Sequence, residues 1–180
     1  MDASLGALIW WTVGFGFAHG KVFQLGKYGF IGTDMFFLGR DDFTDGTGYA
    51  YASWLFQWAF AATAATITSG ALCERVTFTA YVVYTVVLVG LVYPVVACLV
   101  WNPDGYLSAA REHDKLFGCG AADFAGSGVV HLTGSVAALV GATVLGPRRA
   151  FLVNETGTPR YGPIFQTLGT LILWMGWYGF

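Results

Sequence analysis

The chain has 180 residues, of which 56% are hydrophobic and only 11% charged, and its net charge is −2. A soluble domain carries about 25% charged residues, so this chain lacks the polar cover that water demands and suits a lipid-facing surface instead. The slight negative charge supplies no basic field for nucleic acid, and Cys73, Cys98 and Cys119 are dispersed with no CxxC pair, which argues against a metal site or a disulfide framework.

Five apolar spans follow in chain order, at residues 4–18, 51–72, 78–101, 123–145 and 161–180. The first is short against the roughly 20 residues that a bilayer asks of a helix. It does not read as a secretory signal, because Met1-Asp2-Ala3-Ser4 has no basic stretch and no A-x-A site follows the apolar run. The third span, rich in Val and Tyr, could instead be a pair of buried strands. Its length and its four neighbours of similar length favour a helix, since buried strands run about 4–8 residues. Pro94 near its end is tolerated in a membrane helix where neighbours satisfy the freed carbonyl. The fifth span stops at Phe180 inside an apolar run, which leads us to expect a piece of a longer protein. The pattern predicts an all-α, polytopic membrane bundle organised as one domain, with no repeat period and no low-complexity stretch.

The connecting stretches bear on orientation. Lys21, Lys27, Arg40, Arg111 and Lys115 lie in one alternating set, and Arg75, Arg148, Arg149 and Arg160 in the other. The second set is denser and abuts helix ends, so the positive-inside rule places it and the N-terminus in the cytosol, with the far end of the chain outside. The sequon Asn154-Glu155-Thr156 would then be cytosolic and unused.

The fourth span opens with Asp123-Phe124-Ala125-Gly126-Ser127-Gly128-Val129-Val130-His131. Ionisable residues in a membrane span are rare and functional by default. Asp123 reads both as a helix N-cap and as a fixed negative charge that eases the approach of a cation. At 1.5 Å per residue His131 would lie roughly 12 Å deeper. It is either a buried imidazole bonded to a neighbouring helix or a polar stop in an apolar pore, able to donate and accept. Gly134, Ala138, Ala142 and Gly146 recur every four residues, a small-residue stripe for close helix contact, and Ala61, Ala65 and Ser69 form a similar one on the second span. Trp10, Trp11, Tyr51 and Trp54 are expected in the interfacial belt. Phe56 and Phe60 share a helix face, as packing residues or as an apolar constriction. Trp101 reads as a belt residue or as an indole face for a cation. No nucleotide, zinc-protease or nucleophile-elbow motif occurs, so the chain offers little support for an enzyme. A haem-type role for His131 would need a placed axial partner, and no helical partner is apparent.

The stretch DFAGSGVVHLTGSVAALVGATVLGPR resembles the signature of the ammonium transporter, methylammonium permease and Rhesus family. Phe56-Gln57-Trp58-Ala59-Phe60, the run from Thr66 to Arg75, Tyr93-Pro94-Val95-Val96 before Trp101, and the ending Trp174-Met175-Gly176-Trp177-Tyr178-Gly179-Phe180 match the same family in the same order, closest to its plant-type branch. The resemblance implies a fold of about eleven helices in two inverted halves, usually a plasma-membrane homotrimer with one pore per subunit. This chain would supply helices two to six. By the same resemblance Trp101 recruits ammonium at the outer vestibule, Phe56 lines that vestibule, Phe60 and Phe180 are the stacked gate, Asp123 is the aspartate near the recruitment site, and His131 is the first of two pore histidines. The second histidine belongs to the other half, and His19 and His113 cannot replace it. The implied ligands are ammonium or ammonia, with methylammonium as analogue, and no cofactor. A sensor built on the same fold is the alternative.

Overall fold

The computed structural model describes residues 1–25, 28–40, 43–44, 46–148 and 163–179. Helix α1 covers residues 2–19 as an α stretch Asp2–Ile9, a π-helical turn Trp10–Gly14 and an α stretch Phe15–His19. It is longer than the 4–18 span expected, and its 18 residues reach about 27 Å. Strands β1 (Val22–Leu25) and β2 (Tyr28–Gly32) form an antiparallel hairpin with an irregularity between Phe23 and Gln24. Helices α2 (Tyr49–Leu72), α3 (Phe78–Trp101), α4 (Ser127–Leu145) and α5 (Pro163–Trp177) complete the order. The protein is thus a polytopic helical bundle of about five helices, and α3 and α4 are each long and apolar enough to cross a membrane. The chain divides by contact into Met1–Gly146 and Pro147–Phe180. In the second unit α5 is apolar apart from Gln166 and threonines, and the Thr170 hydroxyl donates to the Gln166 carbonyl at 2.9 Å.

The β-branched run of α3 is helical, so the strand reading fails. Thr77 starts the helix by accepting from the Ala80 N–H at 3.4 Å. Halfway along, Leu88–Val92 forms a second π turn immediately before Tyr93 and Pro94. Pro94 cannot donate, and a widened turn is where a helix absorbs that loss. The hydroxyls of α2 answer the same requirement differently. Thr63, Thr66 and Thr68 each donate to the carbonyl four residues back, at 2.7, 2.8 and 3.1 Å, which satisfies a polar side chain where water is scarce.

Close approach of backbones builds the first unit. A Cβ on Gly134 would stand 2.9 Å from the Ala64 carbonyl oxygen and 3.0 Å from Ile67. Gly134 and Ala138 are buried against α2, where Ala61, Ala64 and Ala65 are wholly buried. The Thr68 hydroxyl also donates to the Gly134 carbonyl, 3.1 Å away. The two π turns face each other in the α1–α3 crossing: a Cβ on Gly14 would meet the Val89 carbonyl at 2.9 Å. Trp10, expected in the interfacial belt, is instead wholly buried at 0% exposure, because the Gly14–Val89 approach closes around it.

Three tethers fix the helix ends. Asn102 Nδ2 donates to the carbonyls of Ala18 and Gly20 at 3.2 and 3.0 Å. Arg75 Nη1 donates to the Gly146 carbonyl, 2.7 Å away, at the C-terminus of α4. The Tyr81 hydroxyl donates to the Asp2 carboxylate. The hairpin sits at the Trp101 end, where the Tyr106 N–H donates to the Gly29 carbonyl at 2.9 Å.

Gly134→Val tests the close contact. It should lower the stability of the complete protein by about 1–3 kcal/mol, seen as a fall in melting temperature in detergent. Gly70→Ala, where a Cβ meets nothing within 4 Å, should leave stability unchanged or raise it.

Candidate functional site

Helix α4 begins at Ser127, not at Asp123. Gly126 precedes it with φ +86°, a left-handed conformation that glycine adopts freely. Folding the chain back at Gly126 brings the Asp123 carboxylate over the helix start. Oδ1 accepts from the N–H groups of Gly126 and Ser127, both at 2.9 Å, and from the Ser127 hydroxyl at 3.3 Å. Oδ2 accepts from Gly128 and Val129 at 2.9 and 2.7 Å. The N–H groups that a helix start leaves open are thereby satisfied by one side chain at the positive end of the helix. Burial pushes the Asp123 carboxyl up, but the four backbone donors outweigh it and hold it below the usual carboxylate range.

The main chain of the same residue holds the tryptophan. Trp101 Nε1 donates to the Asp123 carbonyl at 2.6 Å. With its only donor engaged, the indole is fixed in orientation and its π face is what it can offer a ligand. The Phe60 ring lies beside it, 5.5 Å between centroids at 56°, and Phe56 meets Phe60 edge-on at 4.9 Å. The structure therefore brings Phe56, Phe60, Trp101 and Asp123 together from α2, the end of α3 and the turn before α4. Such a surface can hold a small monovalent cation against an aromatic face, near an ionised carboxylate whose oxygens are already taken by amides.

His131 lies nearer the helix start than the sequence spacing implied, because the four residues 123–126 are not helical. It is four positions past Ser127, roughly 6 Å of rise. In a regular α-helix His131 would share the face of Gly134 and Ala138, three and seven residues on. Instead Ser127–Leu132 is a π-helical turn, in which the N–H groups of Val130 and His131 both bond the Gly126 carbonyl, at 2.9 and 3.0 Å. The extra residue in the turn rotates the helix start, and His131 is exposed while Gly134 and Ala138 are buried against α2. Phe180 lies outside the described residues, as do Arg149, Asn154 and Arg160.

Beside α4 runs an apolar groove of about 850 Å³ between α3 and α4. It stretches from Asp123 to Tyr84 past Val92, Val96, Leu132 and Val136. Among the described residues no three of His, Cys, Asp and Glu converge. Sequence reasoning missed the π turn that aims His131; no residue pattern marks it beyond the glycines at positions 126 and 128.

The sequence model of the Ammonium Transporter Family matches residues 1–180. The chain is 44% identical over 183 residues to putative ammonium transporter 1 member 5 of Arabidopsis thaliana, and 45% over 184 residues to ammonium transporter 1 member 1 of Oryza sativa subsp. japonica. Both matches cover 100% of this chain and 36% of the relative, so the chain spans about a third of their length. Among solved structures, a sensor Amt protein superposes with a TM-score of 0.78 at 33% identity, covering 99% of this chain and 43% of that one. The crystal structure of Saccharomyces cerevisiae Mep2 superposes with a TM-score of 0.73 at 29% identity, covering 98% of this chain and 38% of that one.

The depressed pKa of Asp123 fixes a sign. Its contribution to stability is fully present above the ordinary aspartate value of about 4 and is lost as the pH falls through the lower folded value. Asp123→Asn should cost about 1–2 kcal/mol at neutral pH. Melting curves of the complete protein between about pH 6 and 3 should show a smaller acid-induced loss in the variant than in the wild type.

Proposed function

Because this chain belongs to the ammonium transporter family, we propose that it is part of a protein that passes ammonium or ammonia across a membrane. The observation that carries the proposal is the Phe60–Trp101–Asp123 arrangement: an oriented indole face beside a phenylalanine and an ionised carboxylate, all at one end of a helical bundle. A carboxylate saturated by four N–H donors adds negative potential without trapping the ion in a contact pair. That suits recruitment followed by release. Ammonium and potassium are close in size, but ammonium can shed a proton, and a bare charge is costly in an apolar passage. The Phe56 and Phe60 rings form such an apolar stretch, and His131 can donate or accept one hydrogen bond beyond it. We assign no catalytic step to any residue.

In this reading residues 1–180 correspond to helices two to six of the complete fold, as a single domain, with Phe60 and Phe180 assigned as the gate phenylalanines. The Trp101 end faces outward and the Arg75 end faces the cytosol. The complete protein is a plasma-membrane homotrimer, multi-pass, in contact with lipid. A second reading, an ammonium sensor on the same fold, is favoured by one observation, the similarity to a sensor Amt protein.

Uptake of labelled methylammonium by the complete parent protein, expressed in cells without ammonium transporters of their own, separates the two. Saturable uptake that falls at least about tenfold in Asp123→Ala and in His131→Ala, or about 1.4 kcal/mol in the activation free energy of transport, is the expected result. A well-expressed parent that binds ammonium without moving methylammonium would favour the sensor. Potassium transport without ammonium or methylammonium transport would refute both.

A further inference from the structure

Behind the Trp101 surface, at the junction of α1, α2 and α3, several polar atoms are buried with no hydrogen-bond partner among the described residues. Trp10 and Tyr93 are both 0% exposed, on different helices, with ring centroids 5.8 Å apart. The indole Nε1 of Trp10 and the hydroxyl of Tyr93 have no partner there. The His19 ring lies 6.2 Å from the Trp10 ring and packs against Gln57 of α2. His19 Nε2 and Gln57 Oε1 are buried as well, facing each other without completing a full hydrogen bond.

Such groups are rare singly, because a buried polar atom without a partner forfeits its hydration. Here they adjoin one another, and their chemistry is complementary. The Trp10 indole can only donate. Gln57 Oε1 can only accept. The Tyr93 hydroxyl does either, and His19 Nε2 accepts or donates according to its tautomer. As the side chains stand, neither the Trp10 indole nor the Tyr93 hydroxyl bonds any of the others, whereas one small molecule with both lone pairs and hydrogens could meet two to four of them.

We infer that Trp10, His19, Gln57 and Tyr93 enclose a binding site for a single neutral molecule of water's size that donates and accepts hydrogen bonds. Water has that chemistry, and so does ammonia; occupation by ammonia alone rests on the transport reading, while the site itself does not.

The test is a structure of the complete parent protein at a resolution that resolves ordered water, obtained in ammonium-free buffer and again with ammonium chloride. A density peak within about 3.2 Å of at least two of the four atoms is expected. A peak in both buffers assigns water, and a peak only with ammonium assigns ammonia. Tyr93→Phe and Gln57→Leu, each keeping the shape of its side chain, should each lower the occupancy of the peak by at least half. No peak in either buffer, or a peak untouched in both variants, would overturn the inference, whatever the uptake assay reports.

Discussion

The constraint on which the Trp101 end depends is the need to satisfy the free N–H groups where α4 begins. An apolar helix inside a membrane cannot leave them to water. Asp123 meets that need with both carboxylate oxygens, and the geometry that allows it has further effects. The turn at Gly126 must be left-handed, the Asp123 carbonyl must point back toward α3, and the Trp101 indole takes that carbonyl as its partner. The cap and the aromatic surface are therefore one construction. A change that releases the carboxylate also frees the carbonyl that holds the ring, so an Asp123 variant alters a charge and an orientation together.

Close helix contacts then decide where side chains point. Gly134 and Ala138 bring α4 onto α2, and Gly14 lets α1 reach the backbone of α3 at Val89. At this spacing side-chain direction depends on helix register, and each of the three π turns changes it locally. The turn at Trp10–Gly14 sits where Trp10 is drawn into the core, the one at Leu88–Val92 leads into Pro94, and the one at Ser127–Leu132 takes His131 off the packed face. Widened turns of this kind are frequent at functional sites. Here each adjoins a residue whose direction matters.

Much of this was legible in the sequence, for physical reasons. Apolar length marked the helices, and the four-residue recurrence of Gly134, Ala138 and Ala142 marked the face of α4 that packs. Asp123 was readable as a cap because its side-chain type before an apolar run has few other local uses. Its helix starts four residues later than the spacing suggested, because glycine at 126 allows a loop-back that hydropathy cannot register. The burial of Trp10 was not legible, since an indole near a span end looks like a belt residue until the partner helix is known. The hairpin at Val22–Gly32 was hidden inside a stretch read as loop, where a short alternation is interrupted by Gly26 and Lys27. The orientation of His131 depends on hydrogen-bond register, which composition and spacing do not encode.

The central claim is that the fixed indole face of Trp101 binds the arriving cation. The concentration dependence of ammonium-evoked current, or of ammonium uptake, in the complete protein and in Trp101→Leu tests it most directly. A cation–π contribution of about 1–2 kcal/mol predicts a half-saturating concentration raised about tenfold, with the maximal rate changed far less. An unchanged half-saturating concentration in a folded, expressed Trp101→Leu variant would contradict the account.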